Sequence, residues 1–302
     1  MDIQQLKDTI SHLKKEKNAY ILAHNYQLPE IQDVADYVAD SLGMAKHALS
    51  IQNDLIVVCG VYFMAETVSI LNPDKRIIIP DTNAGCPLAN FAPVEEVRRW
   101  RKQYPDYTFV AYVNSSAEVK AEVDICCTSA NAIDIVRRVP NNKIVFLPDK
   151  NLGRYVQKHV PEKEIVLWPG FCVVHETADL EAILRTKEAH PRALTMAHPE
   201  CPEEIQEIAD GICSTGQMMD FVAKHPETRE FIIVTEWGMV YALQKKFPDR
   251  LFLEPSHRME CKNMKRITLQ KLHDALVEEK FIVKVADDIR EKARQSIDKM
   301  LA

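Results

Sequence analysis

Ile77-Ile78-Ile79-Pro80-Asp81-Thr82-Asn83-Ala84-Gly85-Cys86-Pro87 closes an apolar run with a Gly-Cys-Pro that neither a helix nor a strand accommodates. It reads as a strand end that delivers one cysteine onto a loop. The construction returns twice, as Ile165-Val166-Leu167-Trp168-Pro169-Gly170-Phe171-Cys172 and as Leu251-Phe252-Leu253-Glu254-Pro255 leading to Cys261. The intervals are 172−86 = 86 and 261−172 = 89 residues, and the tethers differ: six residues separate Pro80 from Cys86 and Pro255 from Cys261, whereas three separate Pro169 from Cys172.

Other positions keep the same period. His24, Tyr112 and His198, each at a strand end, lie 88 and 86 residues apart, as do Ser41, Ser129 and Thr215. The apolar runs starting at Ile56, Ile144 and Phe231 are 88 and 87 apart. A repeat of this length signals stacked copies of one supersecondary unit. Within each copy, short continuous apolar runs (Ala19 to Ala23, Leu55 to Cys59, Arg76 to Pro80 in the first) alternate with helical spacing. That alternation predicts parallel sheets covered on both faces. The expected fold class is therefore α/β, with three Rossmann-like three-layer αβα units, parallel sheets and a pseudo-threefold arrangement. The units are placed at 1–85, 86–171 and 172–261. The tail 262–302, with a helix over Leu269 to Val277, a run Phe281-Ile282-Val283 and a last helix, is expected to pack back on the first unit. In that first unit Val34, Val38, Leu42, Ala45 and Leu49 keep helical spacing, while Ser41 is read as the end of a second strand that opens a helix.

Composition narrows the function. With 302 residues, 46% hydrophobic and 27% charged, the chain has the profile of a soluble globular protein. A net charge of −6 and a pI near 6.0 give no electrostatic reason to seek nucleic acid or an acidic membrane. Met1-Asp2-Ile3-Gln4-Gln5 does not open a secretory signal and no apolar run approaches the ~18 residues of a membrane span, so a cytoplasmic protein is expected. In that compartment the eight cysteines stay reduced, available for burial, metal binding or catalysis. No Gly-x-Gly-x-x-Gly or P-loop is present, which removes support for dinucleotide or ATP binding by those devices.

Groups at the carboxyl ends of strands are the candidates for chemistry in open α/β sheets. They are His24, Asn25 and Tyr26; Tyr112 and Asn114; His198 and Glu200; the hydroxyls Ser41, Ser129, Ser214 and Thr215, which open helices; and Cys86, Cys172 and Cys261. Hydroxyls at helix starts cap backbone N–H groups, and the same helix ends attract anions such as carboxylates or phosphate. Three thiolates from separate units suit a zinc with an open position or an iron–sulfur cluster with one iron lacking a protein ligand. Cys59, Cys126, Cys127 and Cys213 fall in apolar runs and are expected in the core; Cys201, beside Glu200, is not expected to ligate. His175, three residues after Cys172, could enter the same cavity, and His257 is a weaker candidate.

With these residues assembled, the chain resembles the A-type quinolinate synthase family of de novo NAD biosynthesis. The matching segments include His24-Asn25-Tyr26, Ala39-Asp40-Ser41, Cys59 to Glu66, Asp81 to Pro87, Tyr112-Val113-Asn114 and Cys127 to Ala132. They continue through Pro148 to Gly153, Trp168 to His175, His198 to Cys201, Gly211 to Gly216, Thr235-Glu236 and Cys261 to Lys265. The resemblance implies condensation of iminoaspartate with dihydroxyacetone phosphate to quinolinate, with loss of phosphate and water. It implies a [4Fe-4S] cluster on Cys86, Cys172 and Cys261 with one iron open for substrate. Proton transfers would fall to Tyr26, His24, Tyr112, His198 and Glu200. Substrate binding would involve His24, Ser41, Tyr112, Asn114, Ser129, His175, His198, Glu200, Ser214 and Thr215. A transient contact with an aspartate-oxidising enzyme is also implied. Cys261-Lys262-Asn263-Met264 lacks the additional cysteines some members carry there, so a disulfide switch has no support. The alternatives are another three-unit iron–sulfur enzyme, of the diphthamide-synthesis or diphosphate reductase kind, and a non-enzymatic ligand-binding protein.

Overall fold

A computed structural model describes residues 2–302. The first unit runs α1 (Ile3–Glu16), β1 (Ala19–His24), α2 (Pro29–Val34), β2 (Tyr37–Ala39), α3 (Ser41–Ala48), β3 (Leu55–Cys59), α4 (Tyr62–Leu71) and β4 (Arg76–Ile78). The second runs α5 (Pro87–Asn90), α6 (Val94–Gln103), β5 (Thr108–Tyr112), α7 (Ala117–Glu122), β6 (Ile125–Cys127), α8 (Ala132–Arg138), β7 (Lys143–Leu147), α9 (Lys150–His159) and β8 (Glu164–Leu167). The third opens with a 3-10 turn (His175–Thr177), then α10 (Leu180–Ala189), β9 (Leu194–Ala197), α11 (Glu203–Ile208), β10 (Gly211–Ile212), α12 (Thr215–Lys224), β11 (Glu230–Val234), α13 (Gly238–Lys246) and β12 (Leu251–Leu253). A second 3-10 turn (Met264–Arg266), α14 (Leu269–Glu278) and α15 (Asp287–Leu301) complete the chain.

Each unit holds one four-stranded sheet, and the three orders are the same: β2-β1-β3-β4, β6-β5-β7-β8 and β10-β9-β11-β12. Every pair of named strands is parallel. The central strands are apolar along nearly their whole length, as in Leu55–Cys59, all five residues of which are buried, because helices cover both faces. The α/β architecture of three Rossmann-like units is therefore what the alternation of runs and helices predicts.

An internal staple recurs with it. Asp36, Asp124 and Asp210 precede the second strand of each sheet, and each carboxylate accepts the backbone N–H of the strand beside it: Ile21 at 2.8 Å, Phe109 at 2.7 Å and Thr195 at 2.8 Å. Each also donates its own N–H to the carbonyl of that same residue. One side chain and one amide thus pin the register of the outer strand in every unit.

Two details differ from the sequence expectation. The helical spacing from Val34 to Leu49 does not run as one helix: β2 interrupts it ahead of Ser41, because Asp36 pairs with Ile21 and Asp40 caps α3 through Gly43 at 2.8 Å. The tail divides between two units. Helix α14 packs on α1, and Ile282 bridges Ile78 of β4 antiparallel while the Val283 N–H donates to the Ile77 carbonyl. Helix α15 instead lies against α7 and β6 of the second sheet and touches α4 of the first. Its buried face carries Ala293, Ser296, Ile297 and Met300, and the Ser296 hydroxyl reaches the Lys120 carbonyl at 2.7 Å. No helix among the described residues is long and apolar enough to cross a membrane.

Candidate active site

In a sheet of order 2-1-3-4 the direction of winding reverses between the first and third strands, and a crevice opens at their carboxyl ends. Here three such crevices meet in one cavity of about 640 Å³, mouth included. The first unit lines it with His24, Tyr26 and Ser41, the second with Tyr112, Asn114 and Ser129, and the third with His175, His198, Glu200 and Thr215, while Cys86, Cys172 and Cys261 reach it from the loops after β4, β8 and β12. Two candidates, Asn25 and Ser214, fall outside the lining. Ser214 is the N-cap of α12, its hydroxyl accepting the Gln217 N–H, so its side chain is turned into the helix start. His257 is outside as well, its side chain 96% exposed. Of the remaining cysteines, Cys59, Cys126, Cys127, Cys201 and Cys213 are free, buried and absent from the lining.

The three cysteine loops are built alike despite their unequal tethers. Two residues ahead of each cysteine, a carbonyl accepts a backbone N–H from the loop after the third strand of its sheet: Tyr62 to Ala84 at 2.8 Å, Lys150 to Gly170 at 2.8 Å and Trp237 to Met259 at 3.1 Å. Each cysteine then opens a short helical turn, at Pro87–Asn90, His175–Thr177 and Met264–Arg266, whose first amides point back at the sulfur. The Cys86 sulfur meets the N–H groups of Ala89 and Leu88, Cys172 that of His175, and Cys261 those of Met264 and Asn263. Burial nevertheless pushes all three thiols up, Cys86 to about 12.

A hydrogen-bonded chain runs through the cavity wall. The Tyr26 hydroxyl meets Thr235 Oγ1 at 2.5 Å, Thr235 Oγ1 meets His175 Nε2 at 2.8 Å, and His175 Nδ1 meets Glu200 Oε2 at 2.7 Å. His175 Nδ1 also lies 3.2 Å from the Cys172 sulfur, and Asn114 Nδ2 approaches Glu200 Oε1 at 3.4 Å. The rings of His175 and His198 stack at 4.6 Å. His24 and His198 repeat one device: the Nδ1 of each accepts the N–H two residues on, from Tyr26 at 3.1 Å and Glu200 at 3.3 Å. A neutral ring so engaged carries its proton on Nε2.

Charge states follow from the surroundings. Burial would raise the Glu200 carboxyl, but the imidazoles of His198 and His175 and the Tyr112 hydroxyl outweigh it and hold it at about 2. Burial drives His24 and His198 down to about 3, so both are neutral at pH 7. Burial and the Glu200 charge push Tyr26 and Tyr112 well above the usual phenol range. The cavity thus offers an ionised carboxylate as acceptor, two phenols that keep their protons and two neutral imidazoles.

Several lining or supporting groups were not singled out by sequence. Thr235 joins two predicted residues. Glu236 and Asp40 line the cavity, and Lys265 holds Glu236 at 2.9 Å while donating to the Tyr26 carbonyl. Thr235, Glu236, Asp40 and Lys265 all lie inside motifs quoted above, yet only their three-dimensional neighbours give them a part. Asn25 Nδ2 donates to Thr215 Oγ1 at 2.9 Å and so ties the first unit to the third. Asn114 Oδ1 is buried with no hydrogen-bond partner among the described residues.

A cavity at the meeting point of three homologous α/β units, walled by thiols and by an acid–imidazole–phenol network, defines an enzyme whose centre is shared between units. Comparison with known proteins gives the family. Residues 8–302 match the family model described as quinolinate synthetase A protein (NadA). The quinolinate synthase of Caldicellulosiruptor saccharolyticus is 48% identical over 301 residues, covering 100% of this chain and 99% of the relative. That of Thermodesulfovibrio yellowstonii is 49% identical over 299 residues, 99% and 98% of the two chains, and that of Clostridium perfringens strain 13 is 45% identical over 295 residues, 98% of each. The chain belongs to the quinolinate synthetase A family, and with it to the enzymes of quinolinate formation in NAD biosynthesis. The diphthamide-type, reductase-type and non-enzymatic alternatives are set aside by this full-length match. A metal cofactor accords with the family, and Cys172, His175 and Glu200 bring donor atoms within 4.8 Å of one another.

Proposed function

We propose that this enzyme condenses iminoaspartate with dihydroxyacetone phosphate to quinolinate, with loss of phosphate and water, around a [4Fe-4S] cluster held by Cys86, Cys172 and Cys261. The observation that carries the cluster is the donor set: three free cysteines, one after the last strand of each sheet, on one cavity, each with one or two backbone N–H groups directed at its sulfur. Such N–H contacts are a recognised support for cluster sulfurs. Burial alone keeps these thiols protonated, and a bound cationic centre is what would let them ionise. A cluster with one iron free of protein ligands supplies a Lewis acid for a substrate oxygen. The units would divide at 1–85, 86–171 and 172–261.

The protein groups do the rest. No arginine or lysine lines the cavity among the described residues, so anionic substrate groups would meet helix N-termini and hydroxyls instead. Ser41 and Thr215 begin α3 and α12, and Ser129 sits just ahead of α8. Asn114 Oδ1, unpartnered and buried, can accept from a substrate N–H or O–H. Ring closure needs protons moved on and off carbon and oxygen. Glu200 would accept them, Tyr26 and Tyr112 would donate, and Thr235 with His175 would connect Tyr26 to Glu200. His24 and His198 would present their Nε2 protons to substrate oxygens, and Ser214 would act by holding α12 in place.

Anaerobic purification followed by iron, sulfide and quinolinate assays tests this, with Cys172→Ser as the companion variant. About four irons and four sulfides per chain are expected. Cys172→Ser should lose them and keep its circular dichroism. One tightly held metal without sulfide would instead favour a mononuclear site on Cys172, His175 and Glu200.

A further inference from the structure

Asp149 and Glu236 stand two residues past the last residue of β7 and β11, at the position that Val61 occupies after β3. Each is fully buried, and each divides its two oxygens in the same way. Asp149 Oδ1 accepts the Leu152 N–H in the first turn of α9 at 2.7 Å, and Oδ2 accepts the Cys172 N–H at 2.9 Å. Glu236 Oε2 accepts the Gly238 N–H at the start of α13 at 2.8 Å, and Oε1 accepts the Cys261 N–H at 3.1 Å. A cysteine loop is thereby clamped to the helix that follows the neighbouring strand. In the first unit Val61 has no oxygen to offer, so the Cys86 N–H meets no such carboxylate; its loop is held by the shared Tyr62 to Ala84 bond and by Asp81, which accepts the Asn83 N–H at 2.8 Å and pairs with Lys271 of α14 at 2.6 Å.

We propose that Asp149 and Glu236 are positioning residues that set the Cys172 and Cys261 amides before any cofactor binds, leaving Cys86 as the one cysteine whose own amide is not tied to a buried carboxylate. The inference rests on the reading that these cysteines hold a cluster, but the clamps are a property of the protein alone. Replacing one oxygen by an amide nitrogen turns an acceptor into a donor facing an N–H. Asp149→Asn and Glu236→Gln therefore keep the shape but leave one acceptor oxygen for two N–H groups, Glu236→Gln also giving up its ion pair with Lys265, and a buried N–H left without its acceptor is worth about tenfold in an opening equilibrium.

Amide exchange in reduced, metal-free protein labelled with 15N-cysteine reads the clamps directly. In the wild type the Cys172 and Cys261 amides are expected to exchange at least about tenfold more slowly than the Cys86 amide. Asp149→Asn should speed Cys172 about tenfold and leave Cys261 alone; Glu236→Gln should do the converse. Asp210→Asn, which loses the strand staple far from the cavity, should move neither. In reconstituted protein both clamp variants should release iron to a chelator faster than the wild type. Equal exchange of the three wild-type amides, or clamp variants with wild-type exchange, overturns the proposal. If a clamp variant fails to fold by circular dichroism, the other variant and the wild-type comparison decide. A wild-type protein that takes up no iron and sulfide defeats the cluster reading and leaves the exchange test standing.

Discussion

Replacing Gly238 by alanine should lower turnover without unfolding the protein. A Cβ at Gly238 would sit 2.8 Å from both the carbonyl carbon and the oxygen of Tyr26 and 2.9 Å from Glu236 Oε2, whereas ordinary contact begins near 3.4 Å. The overlap is therefore 3.4−2.8, about 0.6 Å, and it falls on main chain that cannot rotate away. Gln32 makes the Tyr26 loop rigid, its Nε2 donating to Asn25, Gln27 and Gly238 carbonyls at 3.1, 2.9 and 3.1 Å. The whole loop must shift, carrying the Tyr26 hydroxyl from Thr235. A misplacement near 1 Å costs about a hundredfold in favourable cases, so a loss on the order of tenfold or more in kcat is expected. Overpacking costs about 1–3 kcal/mol, offset by about 0.5–1 kcal/mol from removing a helical glycine. Gly216→Ala provides the contrast, because its Cβ meets the Asp40 side chain rather than main chain, so that it disturbs the α3 cap and leaves the Tyr26 loop in place. Steady-state kinetics and thermal melts of both variants check this. Wild-type kcat with an unchanged or higher Tm in Gly238→Ala would refute it.

Thr235→Val keeps the shape but cuts the Tyr26 to His175 connection; kcat should fall about 10–100-fold while iron content stays at the wild-type level, as steady-state assays and metal analysis will show. Ile297→Ala, at a fully buried position on α15, should cost about 2–5 kcal/mol and lower the denaturation midpoint. Burial raises the Glu66 carboxyl to about 7, with Lys120 opposing. The folded protein therefore holds that proton more tightly than the unfolded chain. Its stabilising contribution is complete below the unfolded value near 4.5 and declines as pH rises to about 7, a change of about 3 kcal/mol. Glu66→Gln should remove that slope, so its stability relative to wild type should improve from pH 5 to pH 8 in denaturant titrations.

The threefold frame is legible in the sequence because function and fold keep the same period. His24, Tyr112 and His198 recur after first strands, and each cysteine follows a strand–proline signal, so parallel α/β units and a shared centre can be argued from spacing alone. What escapes are elements whose stability comes from a distant partner. The bounds of Tyr37–Ala39 are one case: a strand ending near Ser41 is legible, but helical spacing runs through it, and its three residues are fixed because Asp36 pins them to Ile21. Helix α15 carries an ordinary amphipathic pattern that names no partner; Ser296 and the Lys120 carbonyl select the second unit. Ser214 and Thr215 are indistinguishable as helix-start hydroxyls until the cap is seen, and Glu236 resembles any acid before a helix until Cys261 arrives 25 residues later.

The division of the tail has a consequence for synthesis. The first sheet ends at β4, and its far edge is completed only when Phe281 to Val283 lie beside it. Cys86 belongs to the loop leaving that strand and, under the proposed cluster assignment, would wait for Cys261, 261−86 = 175 residues later. At ordinary elongation rates of about 5–20 residues per second, that is roughly 10–35 s during which the nascent chain bears an open strand edge and an unmatched thiol together. The ribosome-bound intermediate, rather than the finished enzyme, is then the form most exposed to oxidation and to pairing with a neighbouring chain.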